Sequence, residues 1–421
     1  MLMPRKGWRR EMRAEFSLEK GFWRNFTRTY WNRRPTVIRA PFSMPLVSPS
    51  EVFRGLVAAR RRLRRGEPRD DVQLTIAGRR IVLDLDRWLP HAEDSTVERY
   101  HARLRQAGPA RELSLLVFDF QRELGWTFQN RLRQFLQGLY EIVGVPPRAQ
   151  AVLFLGNYKR TPFGLHRDAS DVFCLVVDGK KKFRLWPGEA FRSSSEKFGP
   201  APYGNYLEGS ICLEGGPGDI LFWPSSYWHV AESDGQLGSS LSVGFSYGYS
   251  VLAALSEHIG EWSRDIGGGA GDPICALPFS KLQASGELAS IAQRAEGPPG
   301  RLTERLMRFW MERTTSYGFG PIPRKRGRVA PQMGRRVRPN AHSPILHWKC
   351  NRELVISANG RSLVVAYDPE VVRMLCRVSR GPVSDVAELL YGGRRKAQRT
   401  SRQTIRRTLK FLLEERALES A

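Results

Sequence analysis

Little in this sequence would staple a small secreted scaffold together. Its 421 residues include only five cysteines, at 174, 212, 275, 350 and 376, and no two form a CxxC pair. A disulfide framework and a thiolate zinc site are therefore not expected. A reducing, cytoplasmic setting is the simplest expectation. Runs of about 18 apolar residues are also lacking, so no membrane-spanning helix is expected. The opening MLMPRKGWRREMRAEF is basic but has no apolar stretch of the kind a secretory signal needs. Acidic residues are scarce at the two ends. Residues 1–70 carry 18 Lys/Arg against 6 Asp/Glu, and residues 321–421 carry 22 against 8, while the stretch between is nearly balanced. Basic ends suit an acidic peptide, a ribosomal partner or nucleic acid. An arginine-rich solvated surface would read the same way.

Two or three globular domains fit a chain of this length with 41% apolar residues. An aromatic segment, FWRNFTRTYWNRRPTVIRAPF (22–42), runs through Pro35 into a short strand at Thr36–Arg39. SPSE at 48–51 is a capping box with Pro49 at the first helical position. GRRIVLDLDRWL (78–89) alternates like a strand. Residues 128–143 have helical apolar spacing and stop at Gly144. From residue 151 six short β-rich segments follow between Gly/Pro turns, which predicts a jelly roll. After 251 the pattern turns helical. Residues 318–342, rich in Gly, Pro and Arg, read as a linker. The last part offers a hairpin, ELVISANGRSLVVAY, with Asn359-Gly360 as its turn, and three helical segments. A hairpin with three helices has a winged-helix-like composition.

The chemistry concentrates at the entrance of one strand pair. In LHRDASDVFCLVVDGKKKFRLW (165–186), His166 and Asp168 stand two apart, which puts both on one face of a strand start. His229 follows in GGPGDILFWPSSYWH. Two histidines and a carboxylate make a facial triad that leaves coordination positions open. Iron suits it, and manganese, cobalt or zinc could also bind. A lone His-x-Asp is usually a surface pair. Here it precedes a buried-looking strand, and the other five histidines lie outside the β-rich block. Lys181 alternates with Phe183 and Leu185, so it should face inward, where a cation is costly unless paired. A dicarboxylate such as 2-oxoglutarate would pair it. If the register slips by one, Lys180 or Lys182 takes that place, and all three could instead reach solvent.

Together YWNRRPTVIRAPF, LHRDASDVFCLVVDGKKKFRLWP and GPGDILFWPSSYWHVAES resemble the JmjC-type (cupin-like) iron(II)/2-oxoglutarate oxygenases. The likeness is to the protein hydroxylases that include ribosomal oxygenases and asparaginyl hydroxylases, and it spans about residues 22–250. It implies an α+β chain with four parts. An oxygenase domain over 1–250 has a double-stranded β-helix core at about 151–250 and a helical N-terminal flank. A helical, dimerising region over 251–317 follows, then the linker over 318–342 and a winged-helix-like domain over 343–421. It implies that His166, Asp168 and His229 ligate Fe(II). Lys181 then anchors 2-oxoglutarate, and O2 is the oxidant. Relatives place a Thr or Asn near the cosubstrate where this chain has Phe163 and Val172, so Tyr158, Thr161 and Ser242 are the substitutes. The expected reaction is hydroxylation of a protein or peptide side chain, with succinate and CO2 as coproducts. The loop 198–209, with Tyr227 and Trp228, is expected to hold substrate, while Trp223 is expected in the core. A small-molecule oxygenase and a non-catalytic cupin-like regulator reading DNA through Arg402, Arg406 and Arg407 are the alternatives.

Overall fold

A computed structural model describes residues 15–66, 71–106, 112–159, 163–191, 203–247 and 301–421, the last stretch without 326, 328, 382 and 392–398. The chain divides into two compact units. One comprises residues 1–144 with 150–245, and the other 145–149 with 246–421. No helix among the described residues is long and apolar enough to cross a membrane.

In the first unit, helices come early. Helix α1 (Lys20–Thr29) buries Trp23 and Phe26, three residues apart on one face. Strand β1 (Thr36–Ile38) follows. Helix α2 (Pro49–Arg64) starts at the expected capping box, with Ser48 and Glu51 each bonding the other's backbone N–H. Then come β2 (Val72–Ile76) and β3 (Arg79–Ile81). The strand read over 78–89 stops there, because Asp84 takes a left-handed conformation (φ 47°) and opens the four-residue helix α3 (Leu85–Trp88). Helix α4 (Val97–Gln106), β4 (Leu113–Val117) and helix α5 (Gly125–Val143) complete the flank. Gly144 ends α5 at φ 81°.

The β-rich block forms β5 (Arg148–Gly156), β6 (Asp171–Asp178), β7 (Lys181–Trp186), β8 (Ile211–Gly215), β9 (Ile220–Trp223), β10 (Trp228–Glu232) and β11 (Gly238–Ser246). They make an eight-stranded sheet, in the order β1-β9-β6-β11-β5-β4-β2-β3, and a three-stranded sheet, β10-β7-β8. This is the expected jelly-roll type of β structure, enlarged by strands from the N-terminal flank. Strand β6 is buried on both faces. Phe173 on its outer face meets the rings of Trp23, Phe26 and Phe135 from α1 and α5. Helix α5 approaches closely because it has Gly138 there, where a Cβ would lie 2.4 Å from the Trp23 ring. The inner face of β6 presents Val172, Cys174 and Val176, packed with Phe183, Leu213 and Trp223 between the two sheets.

The second unit holds a helix over Arg301–Thr315 and a three-stranded sheet of Ile345–Cys350, Glu353–Ala358 and Arg361–Ala366. The expected hairpin is present, and Asn359 and Gly360 both have positive φ, at 49° and 81°. Helices Pro369–Arg380, Val386–Tyr391 and Arg399–Glu414 follow. Leu354, Ile356, Val371, Leu375, Leu409 and Leu412 are buried in its core. The segment read as a linker contains structure: Arg336–Pro339 is the middle strand of a sheet with Ser384–Asp385 and Leu418–Ser420. Its partners are distant in sequence, so local composition does not reveal it. Most of the expected dimerising region, 251–300, lies outside the described residues.

Candidate metal and cosubstrate site

Backbone pairing brings the two histidines together. His166 and His229 form an isolated antiparallel bridge, each N–H donating to the other's carbonyl, at 3.0 and 2.8 Å. His229 lies on β10, after the Pro224-Ser225-Ser226 turn that follows β9, and stands opposite Leu185 of β7. The turn that leads into β10 is pinned by buried Asp171, whose Oδ1 accepts from Ser225 N–H at 2.8 Å. The imidazole centroids stand 4.3 Å apart. Asp168 reaches both: Oδ1 is 3.8 Å from His166 Nε2 and Oδ2 is 3.5 Å from His229 Nε2. The ligand atoms of the three residues all lie within 4.8 Å of one another, a spacing that could hold one metal ion.

The rings are set for ligation through Nε2. His166 Nδ1 is 3.0 Å from the Gly164 carbonyl, and His229 Nδ1 is 3.4 Å from the Tyr227 carbonyl. A carbonyl can only accept, so Nδ1 carries the proton and the Nε2 lone pair is free. Burial, together with the neighbouring His166, pushes the His229 pKa down to about 4, against the pull of Asp168. The ring is thus neutral near pH 7, the form that binds a metal. The site is not sealed: His229 is 4% exposed at its side chain, while His166 is 23% and Asp168 47% exposed.

Lys181 faces inward, as the alternation predicts, and is 7% exposed. Its Nζ donates to Tyr158 Oη at 2.6 Å and lies 4.9, 5.5 and 5.7 Å from the ring centroids of Tyr158, Phe154 and Phe183. Among the described residues no carboxylate pairs with it. Lys182 takes the other face and pairs with Glu214 and Glu232, while Lys180 is exposed. Phe183 connects the two halves of the site, since its ring is also 6.2 Å from that of His229. A cavity of about 630 Å³ adjoins Lys181, lined also by Arg39, Lys159, Lys182, Glu214 and Glu232, without reaching the triad.

Ser242 pairs with Cys174 across β11 and β6 and lies beside its thiol. Burial raises the Cys174 pKa, and Lys181, Ser242 and Ser240 oppose that rise. Ser240 is 1% exposed, and its hydroxyl also lies beside the Cys174 thiol. Sequence reasoning missed Ser240 and Cys174. The two-residue alternation that selects Ser242 selects Ser240 too, since both share the inner face of β11. Thr161 lies outside the described residues, as do 198–202 of the expected substrate loop. Trp223 is in the core as expected. Trp228 is buried as well, among Leu165, Trp186, Phe191 and Tyr203. It packs the wall and is not free to hold substrate, whereas Tyr227 is only partly buried.

Residues 123–251 match the family model of the JmjC domain. No curated protein matches the sequence. Among solved structures the chain is similar to E. coli ycfD, with 15% identity, 97% of this chain and 100% of that chain covered, and a TM-score of 0.49. It is also similar to YcfD, described as a ribosomal oxygenase from Escherichia coli, in complex with cobalt and succinic acid (15% identity, 94% and 98% covered, TM-score 0.46). The complex of the same protein with cobalt and 2-oxoglutarate gives 16% identity, the same coverage and a TM-score of 0.45.

Proposed function

We propose, from the premise that residues 123–251 are a JmjC domain and the chain a 2-oxoglutarate-dependent oxygenase, that it hydroxylates a C–H bond of a protein or peptide side chain. The observation that carries this reading is a buried ammonium with no carboxylate partner among the described residues, on the same three-stranded sheet as His229 of the His-Asp-His cluster. A desolvated cation held by one phenol oxygen and three ring faces is under-neutralised. A carboxylate of the cosubstrate would complete it. The buried Ser240 hydroxyl beside Cys174 would offer that carboxylate a further donor. The donor set therefore fits iron(II) at His166, Asp168 and His229, and 2-oxoglutarate between them and Lys181.

When bound, iron(II) and 2-oxoglutarate supply oxidation of a C–H bond by O2, with succinate and CO2 as coproducts. The chain's own residues hold and orient. The Gly164 and Tyr227 carbonyls fix both imidazole protons on Nδ1. Lys181 and Tyr158 would hold the far carboxylate of the cosubstrate. Val172, Phe183, Leu185 and Trp223 keep water from the space between the sheets. A macromolecular substrate is favoured by the exposed side of the triad. Asp168 and His166 lie toward solvent, so a side chain presented by a large partner can approach them. The basic ends would attract an acidic or ribosomal partner, the C-terminal hairpin and helices would act as a winged-helix-like docking domain, and residues 251–317 would serve a homodimer. The test is anaerobic loading with iron followed by a succinate-release assay with and without peptides or ribosomal fractions. Release that no peptide or ribosomal fraction stimulates, but a small molecule does, would overturn the substrate assignment.

A further inference from the structure

The oxygenase reading leaves one face of the second unit unused. The helix Arg399–Glu414 buries Ile405, Leu409 and Leu412. Its opposite face presents Gln403, Arg406, Arg407 and Lys410 to solvent, at the spacing of one helical stripe. Lys410 is paired with Glu414 at 3.7 Å. Arg406 and Arg407 have no ion pair or hydrogen bond among the described residues. Arg402, one turn before Arg406, lies over the ring of Tyr391 at 4.8 Å. Tyr391 is 52% exposed. From Leu389 to Leu413 the sequence contains no Asp or Glu.

We infer that this helix and Tyr391 form a docking surface for single-stranded nucleic acid. Two unpaired guanidiniums suit phosphates. An exposed aromatic ring braced by an arginine suits an unstacked base, which every nucleotide can offer. An acidic peptide would use the guanidiniums equally well but would leave the ring without a role. That difference decides between the two partners. The inference does not depend on the metal site, and it gives the basic C-terminal part a defined ligand class.

The experiment uses the full chain and a fluorescein-labelled mixed-sequence 20-mer RNA, read by anisotropy across a potassium chloride series, with a DNA 20-mer and a Glu-rich peptide as parallel probes. Arg406→Gln/Arg407→Gln should weaken RNA binding and flatten the slope of log K against log salt by about 1.4, at roughly 0.7 for each single-strand phosphate that is no longer neutralised. Arg406→Lys/Arg407→Lys should restore most of that slope. Tyr391→Ala should weaken binding about fivefold to a hundredfold at every salt concentration and leave the slope unchanged, as removal of stacking requires. Equal weakening on RNA and DNA supports recognition of stacked bases and phosphates, and weakening on RNA alone supports the same surface with a 2′-hydroxyl contact. Unchanged RNA binding in both variants, with far-UV circular dichroism and Tm also unchanged, overturns the inference. So does peptide binding as tight as RNA binding and insensitive to Tyr391→Ala, which would make this a surface for acidic peptides.

Discussion

Lys181 offers a prediction in which function and stability move in opposite directions. The side chain is 7% exposed and its ammonium has one hydrogen bond, to Tyr158 Oη at 2.6 Å. Replacing it with methionine keeps most of the volume and removes the charge. In the absence of cosubstrate the protein then no longer buries an under-neutralised cation, so Lys181→Met should raise the unfolding midpoint of the apo protein. The Tyr158 hydroxyl loses its donor but can itself donate to the cosubstrate carboxylate. Binding of 2-oxoglutarate should suffer. Loss of a charge-assisted hydrogen bond in a dry site costs about 2–4 kcal/mol, or roughly 30- to 1000-fold in Kd. The assay is isothermal titration of 2-oxoglutarate into protein loaded with manganese under anaerobic conditions, with metal content equalised, alongside urea denaturation of the apo forms. Lys182→Ala breaks only an exposed-side pairing with Glu214 and Glu232 and should change neither quantity much. Unchanged 2-oxoglutarate binding in Lys181→Met would refute the anchoring role. A large fall in stability would refute the claim that the cation is a burden to the fold.

Three further outcomes follow from the geometry. Alanine at His166, Asp168 or His229 should each reduce bound iron well below one per chain, because two ligands hold an open site poorly; full metal content by elemental analysis in any of them would mean the cluster is not the metal site. The metal-free protein should lose stability as pH falls from about 6.5 to about 4, because in that window the unfolded chain protonates His229 while the folded chain, with its pKa near 4, does not; the effect is on the order of 3 kcal/mol, and His229→Gln should flatten that part of the urea-midpoint profile. Gly156→Ala should lower the urea midpoint by the equivalent of about 2–3 kcal/mol, since a Cβ there would lie 2.0 Å from the Leu113 carbonyl oxygen; an unchanged midpoint would show that β4 and β5 can separate at little cost.

The parts of the site legible in the sequence were those with a short-range signature. His166-x-Asp168 sits at a strand entrance, and the inward register of Lys181 follows from two-residue alternation with Phe183 and Leu185. The hydrogen bond from Lys181 to Tyr158 is not legible in the sequence, because it joins residues on β7 and just beyond β5, and no local pattern encodes that distance. Ser240 has no chemical signature in the sequence, because a serine on a strand stands out only once its hydroxyl proves buried. Strand β10 has no alternating signature in the sequence, because Trp228–Glu232 is buried along nearly its whole length. Arg336–Pro339 was hidden for a different reason. Its arginines and proline read as linker, and its strand character comes from partners far along the chain.

The pairing of β1 with β9 bears on how the molecule is made. Thr36 lies opposite Phe222, and Ile38 opposite Ile220. At synthesis rates of roughly 5–20 residues per second, β1 would wait on the order of 10–40 s for its partner to be translated. The rings of Trp23, Phe26 and Trp31 share that delay, because Phe173 and Phe222, which they pack against, are also made later. A growing chain shorter than about 220 residues therefore carries an aromatic, arginine-rich segment with much of its apolar surface uncovered. Such a nascent chain should bind holdase chaperones and should be sensitive to protease around residues 22–42, with protection appearing once β9 has left the ribosome.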